Sequence, residues 1–115
     1  ANAIKLTTTL AFSTDTSGNG VNIQLLRGST RIGGGTAASN RLSSIFGPIR
    51  SSDTLSCVSQ INVTFDFPGV TTATTYKLQY TTQAGNFYVN MSNTDTDVAY
   101  APRVSSSMTL EEIMV

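Results

Sequence analysis

Apolar side chains recur along this chain with a period of two, and polar turns break the pattern at roughly the 8–12-residue spacing of short antiparallel strands. Ile4, Leu6, Thr8, Leu10 and Phe12 share one face of a first strand; Lys5, Thr7, Thr9 and Ala11 share the other. Thr14 to Gly20 (TDTSGNG) predicts a turn, with Gly18 and Gly20 free to take positive φ. Val21, Ile23 and Leu25 carry a second strand, and Arg27-Gly28-Ser29-Thr30 predicts a tight hairpin into Arg31-Ile32. Leu42, Ile45, Phe46 and Ile49 surround Pro48, which donates no ladder hydrogen bond, so this segment predicts an irregular edge strand. Ser56 to Phe67 predicts the longest strand, with Ile61, Val63, Phe65 and Phe67 on one face and Asn62, Thr64 and Asp66 on the other. Pro68-Gly69 ends it.

Thr75 to Thr82 follows with Tyr76, Leu78 and Tyr80 inward and Lys77, Gln79 and Thr81 outward. Gln83-Ala84-Gly85-Asn86 predicts a turn, from which Phe87 to Met91 returns as the hairpin partner. Asn93 to Arg103 is the longest polar connection. In the last strand Met108 and Leu110 lie on one face; the parity then switches, so that Ile113 and Val115 point the other way. A bulge produces this switch, and so does a strand buried on both faces, as at a subunit interface. About eight strands with such turns predict an all-β fold, a two-sheet antiparallel sandwich or jelly roll, in a single domain over residues 1–115. Helix formers are too sparse among the Ser and Thr to predict a helix.

Composition narrows the function classes. A chain of 115 residues buries ~65% of the surface its unfolded form exposes, which suffices for one modest core. Seven basic side chains balance seven acidic ones, so no net field draws the chain to nucleic acid or anionic lipid. Solubility rests on Ser, Thr, Asn and Gln instead. No apolar run reaches the ~18 residues of a membrane-spanning helix, and no signal-peptide pattern opens the chain. The chain starts almost inside a strand. This points to a fragment with an upstream strand or shaft missing, or to a small complete protein that has lost its initiator Met.

Candidate chemistry is thin. Without histidine, a hydrolytic triad has no ordinary base, and Lys5 and Lys77 sit on Thr- and Gln-lined strand faces that suit solvated lysines. Glu111 and Glu112 are adjacent on a strand and face opposite sides, which defeats a glycosidase pair. Cys57, the single cysteine, reads as a small core residue and allows no intrachain disulfide. Gly33-Gly34-Gly35 lacks the Lys-Ser/Thr and helix of a phosphate loop and reads as a bulge or a close strand crossing. Asp95 and Asp97 with Asn93 read as turn residues bonded to their own backbone, or as a calcium site. The tripeptides at Asn62 and Asn90 that match a glycosylation acceptor read as coincidence in so Ser/Thr-rich a chain. No cofactor is expected. Asn93, Asp95, Asp97, Tyr100 and Arg103 form a candidate recognition loop. Met108, Leu110, Ile113 and Val115 form a candidate subunit interface.

Several stretches then occur in a familiar order. They are Gln24-Leu25-Leu26-Arg27-Gly28-Ser29-Thr30, Gly35-Thr36-Ala37-Ala38, and the run from Thr71 to Tyr80 (TTATTYKLQY). Tyr88-Val89-Asn90, Asp95-Thr96-Asp97, Arg103 to Leu110 (RVSSSMTL) and Ile113 complete the series. Together they resemble the tumour-necrosis-factor-like jelly rolls of bacteriophage and large-virus structural proteins. The resemblance covers most of the chain. Such domains usually carry one more strand before Ile4-Lys5-Leu6, and their terminal strand tends to end soon after a Met/Glu-Ile pair, where Glu111 to Val115 runs slightly differently here.

The resemblance implies a homotrimer on a virion surface and no catalytic residues. The first expectation is a non-enzymatic knob at a fibre or spike tip that adheres to a host glycan or protein. The second is a capsid decoration protein that clamps the head shell. A third, from the residues alone, is a lectin-like carbohydrate-binding module using Tyr100 with Asn93 and Asp95. Neither nucleic acid nor membrane insertion is expected of any of them.

Overall fold

A computed structural model of the chain describes residues 2–14, 20–49, 57–83 and 85–114. The turn expected at 15–19, the start of the Ser56–Phe67 strand and Val115 lie outside these residues. Eight strands form among the described residues: β1 (Ala3–Thr14), β2 (Val21–Arg27), β3 (Thr30–Ile32), β4 (Phe46–Ile49), β5 (Val58–Asp66), β6 (Tyr76–Thr82), β7 (Phe87–Val89) and β8 (Ser107–Ile113). They make two antiparallel four-stranded sheets. In the first, β1 is central, with β5 on one side and β8 and β7 end to end on the other. In the second, β2 is central, with β6 on one side and β3 and β4 on the other.

The sheets meet face to face through the apolar phases of their central strands. Leu10 and Phe12 from β1 pack with Val21 and Ile23 from β2 and Phe46 from β4, flanked by Ile45, Val58, Leu78 and Phe87. Period-two alternation therefore produces a sandwich because each central strand sends its apolar phase to the same interior. β1 keeps ladder partners from Ala3 to Thr14, which makes it the longest strand at 12 residues. The expectation that the Ser56–Phe67 segment would be longest is corrected: β5 spans 9 residues and ends where Asp66 turns into the interior.

The hairpin at Arg27–Thr30 forms as expected, joining β2 to β3. The second expected hairpin does not form. β7 pairs with β1, Phe12 opposite Val89, and so lies in the other sheet from β6. The crossing places the Phe87 ring 5.4 Å from Phe12 and 4.6 Å from Tyr80 of the facing sheet. One aromatic side chain thus bridges both layers, which a β6–β7 hairpin within one sheet would not achieve.

β4 flanks β2 at a sheet edge, and its register shifts between Val21 and Ile23. Gly47 sits there at φ 128°, where a Cβ would come 2.7 Å from the Val21 carbonyl and collide with the Asn22 side chain. Only glycine fits this irregularity. Gly33 marks the close crossing read from the glycine run: a Cβ there would meet the Thr64 hydroxyl at 2.9 Å. Cys57 is half-buried rather than a full core residue, and desolvation pushes its thiol pKa up.

β5 turns its polar phase inward. Thr64 and Asp66 are buried, while Ile61, Val63 and Phe65 face solvent. Asp66 accepts a 2.6 Å hydrogen bond from Arg27 Nη1 at one carboxylate oxygen and a 2.7 Å bond from the Tyr76 hydroxyl at the other. Arg27 is in phase with Val21, Ile23 and Leu25, so the second sheet aims a charge inward and β5 answers it. β8 runs along β1 without a register shift from Ser107 to Ile113. No bulge explains the parity switch: Met108 and Leu110 face the second sheet, and Ile113 lies on the outer side opposite Ala3.

Candidate functional site

The polar connection between β7 and β8 spans residues 90–106, and both its ends are tied to β1. Asn90, at φ 66°, donates its N–H to the Ala11 carbonyl at 2.9 Å and accepts from the Ser106 hydroxyl at 2.5 Å. Ser106 Oγ in turn accepts the Ala11 N–H at 2.9 Å. The Val104 N–H bonds the Asn90 carbonyl, and Met91 bridges to Arg103. Ser13 on β1 donates its hydroxyl to the Met91 carbonyl at 2.8 Å. These contacts fill the gap that β7 and β8 leave along β1 and fix the base of the loop.

Inside the loop each expected recognition residue has a definite place. Asn93 donates to the Thr14 carbonyl at 3.1 Å and accepts from Thr94, so it serves the base. Arg103 grips Asp95 in a two-pronged pair, Nε to Oδ1 at 3.0 Å and Nη2 to Oδ2 at 2.6 Å. Hydrogen bonding from Arg103 holds the Asp95 carboxyl below its ordinary pKa and lifts that of the guanidinium. Asp97 is exposed. Tyr100, at the tip, is 82% exposed, while its neighbour Ala101 is buried and anchors the turn.

Asp95, Thr96, Asp97, Val98, Ala101 and Arg103 line a shallow depression of about 420 Å³. Its chemistry is that of a hydrogen-bonding surface with one net negative charge, since Arg103 offsets Asp95 and leaves Asp97, and with an aromatic beside it. Arg103 already neutralises Asp95, which disfavours a cation held between the two aspartates. Among the described residues no three acidic or sulfur ligands converge. The sugar-binding set is also divided, because Asn93 and Asp95 are engaged and Tyr100 stands alone at the tip.

The expected interface residues separate onto different surfaces. Met108 is half-buried and Leu110 47% exposed on the flank between β8 and β6, whereas Ile113 is half-buried on the outer side of the first sheet. Two exposed apolar areas were not expected from the sequence, although Leu110, a member of the second, was among the candidate interface residues. One is the outer phase of β5 with the residue that follows it, where Ile61 is 67%, Val63 49%, Phe65 56% and Phe67 62% exposed. The other lies between β6 and the β7–β8 edge, where Val70, Tyr80, Val89 and Leu110 stay half-uncovered because no strand among the described residues closes the sandwich there. Val70 and Leu110 share a cleft there of about 390 Å³ with Ile4 and Tyr76. The signal for the β5 face was present: Asp66 alternates with Phe65 and Phe67, and only a buried partner such as Arg27 would draw that acid inward.

The Arg27–Asp66–Tyr76 cluster was also missed. Tyr76 is pushed up to about 12, first by burial and then by the Asp66 carboxylate, against a smaller opposing effect of Arg27. Its three members satisfy one another, which suits a structural clasp between the sheets. Comparison of this chain with protein families, with curated proteins and with solved structures finds no match.

Proposed function

We propose that this chain is a non-enzymatic surface module of a virion: a jelly-roll domain that assembles as a homotrimer at a fibre or spike tip and carries the 90–106 loop toward a host surface. The observation that carries this reading is the placement of large apolar side chains outside the core. A neutral, Ser- and Thr-rich surface is interrupted by Phe65, Phe67 and Ile61 on one side and by Tyr80 and Leu110 on the other. A subunit that leaves this much apolar surface on two flanks suits assembly better than life as a monomer. The ordered series of motifs from Gln24 to Ile113 supports the virion setting, and the two antiparallel sheets supply the framework such a jelly roll needs.

The loop supports the adhesive part. Its base is bonded to β1, its flank is stiffened by Asp95 and Arg103, and Tyr100 projects from the tip. An exposed aromatic on a loop whose base is already ordered saves part of the entropy cost of binding, which favours recognition of a glycan or protein epitope.

Two measurements on the purified chain test the reading. Light scattering is expected to return three times the chain mass; a monomer at micromolar concentration sinks the knob. Labelled protein is expected to decorate intact cells in a bacterial panel, and Tyr100→Ala is expected to lose most of that binding. A trimer that ignores every cell but saturates undecorated capsids would transfer the assignment to head decoration.

A further inference from the structure

The inversion of β5 carries a further inference, which rests on the homo-oligomeric reading above and deepens it. The register of β5 on β1 runs without interruption from Val58 to Asp66. Asp66 anchors that register from inside through Arg27 and Tyr76. Slipping β5 by one residue would bring Val63 and Phe65 inward but would expel Asp66 from its partners. The apolar phase is therefore held outside by the fold itself, and no described residue of the same chain covers it.

β5 is also a sheet edge: β1 is its only strand partner among the described residues. From Val58 to Asp66 it carries neither Lys nor Pro, the side chains that commonly protect such edges. Across the first sheet, the charges Lys5 and Glu111 face each other at 3.9 Å, so no net charge opposes a neutral partner.

The size and position of the two apolar areas identify that partner. With ~200 Å² for a free Phe and less for Ile and Val, the exposures of Ile61, Val63, Phe65 and Phe67 leave about 400 Å² of apolar surface. Val70, Tyr80, Val89 and Leu110 leave about 350 Å² at the flank between β6 and β8. A contact between the two, with the ~57% apolar share usual for interfaces, buries about 1,300 Å² in all. That lies inside the ~1,200–2,000 Å² of stable protein–protein contacts. A two-fold contact would use one patch twice and leave the other bare. Two different patches suit a head-to-tail contact, which makes a ring where the rotation between copies closes and a filament where it does not.

We propose that the outer face of β5 in one copy packs against the open flank between β6 and β8 in a second copy of this chain, with Phe65 and Phe67 seated against Val70 and Leu110. Each copy then gives one patch and receives the other, and the flank left open among the described residues is covered by its neighbour.

The test uses two single variants and their mixture, each checked by circular dichroism melting for an intact fold, with Val63→Asp as a substitute if Phe65→Asp does not fold. Phe65→Asp destroys the donating face; Leu110→Asp destroys the receiving flank. Each alone is expected to drop from three times the chain mass to a monomer. An equimolar mixture is expected to give a one-to-one heterodimer, because the intact β5 of one variant meets the intact flank of the other. A monomeric wild type overturns this inference together with the trimer reading. A trimer that persists in folded Phe65→Asp overturns the inference alone. Two monomeric variants whose mixture stays monomeric also overturn it, since complementation belongs only to a head-to-tail contact.

Discussion

β1 and β5 are neighbours in one sheet, paired residue for residue from Ile4–Asp66 to Phe12–Val58, yet they use their apolar phases in opposite ways. β1 sends Leu6, Leu10 and Phe12 into the interior and leaves Lys5 and Thr7 outside. β5 sends Thr64 and Asp66 inward and shows Val63 and Phe65 to solvent. Both strands alternate equally well. The difference teaches that alternation defines two faces without saying which is the inner one, and that a single buried acid with two donors can decide it.

The comparison breaks most visibly at the two phenylalanines. Phe12→Ala empties a fully buried site and is expected to cost about 3–5 kcal/mol in urea unfolding, whereas Phe65→Ala, measured on the dissociated monomer, is expected to stay within about 0.5 kcal/mol. Equal losses would mean that Phe65 belongs to the monomer core.

Asp66→Ala strips Arg27 and Tyr76 of their common acceptor. The expected loss is about 3 kcal/mol, at the low end for a buried pair because Arg27 still reaches solvent. It would also release the β5 register, seen as raised amide exchange along Val58–Phe65. A variant with unchanged stability and protection would remove the anchor from the argument.

A smaller effect sharpens the β1 side. Thr8 is 1% exposed on the inner face, and its hydroxyl finds no hydrogen-bond partner among the described residues. Thr8→Val keeps the branched shape and removes the orphaned polar group, so a gain of about 1 kcal/mol is expected in the same assay. A loss would show that the hydroxyl is satisfied.

The smallest effect appears only in alkali. Tyr76 keeps its proton to about 12 in the fold against an ordinary 10.0, so above pH 10 the native state binds a proton that the unfolded chain has released. Stability is therefore intact below pH 10 with respect to this group and falls as pH rises from there toward 12. Urea midpoints on either side of pH 10 are expected to show that slope in the wild type and a flatter one in Tyr76→Phe. Identical slopes would contradict a raised phenol.

Much of the architecture was legible in the alternation itself. The strands of Ile4–Phe12, Val21–Leu25, Tyr76–Tyr80 and Met108–Leu110 were visible as period-two runs, and Arg27–Thr30 announced its hairpin. What stayed hidden depended on contacts distant in sequence. The pairing of β7 with β1 follows from Phe87 wedging between Phe12 and Tyr80, and nothing local to Gln83–Asn86 distinguishes that crossing from a hairpin turn. The loop was legible as a polar, Asn- and Asp-rich connection. That Asp95 would be occupied by Arg103, and Asn93 by the Thr14 carbonyl, depended on how the base is tied to β1.

The partnership of β1 with β8 sets a timetable. Ala3 to Thr9 leave the ribosome well ahead of their partners, and their ladder closes only when Ser107 to Ile113 have followed. At ~5–20 residues per second, roughly a hundred intervening residues impose a wait of about 5–20 s. The β2–β3 hairpin, by contrast, has both its strands within a few residues and forms as soon as they emerge. The nascent chain thus completes the sheet built on β2 before the sheet built on β1, and during that interval one whole side of the longest described strand is open to any neighbouring nascent chain.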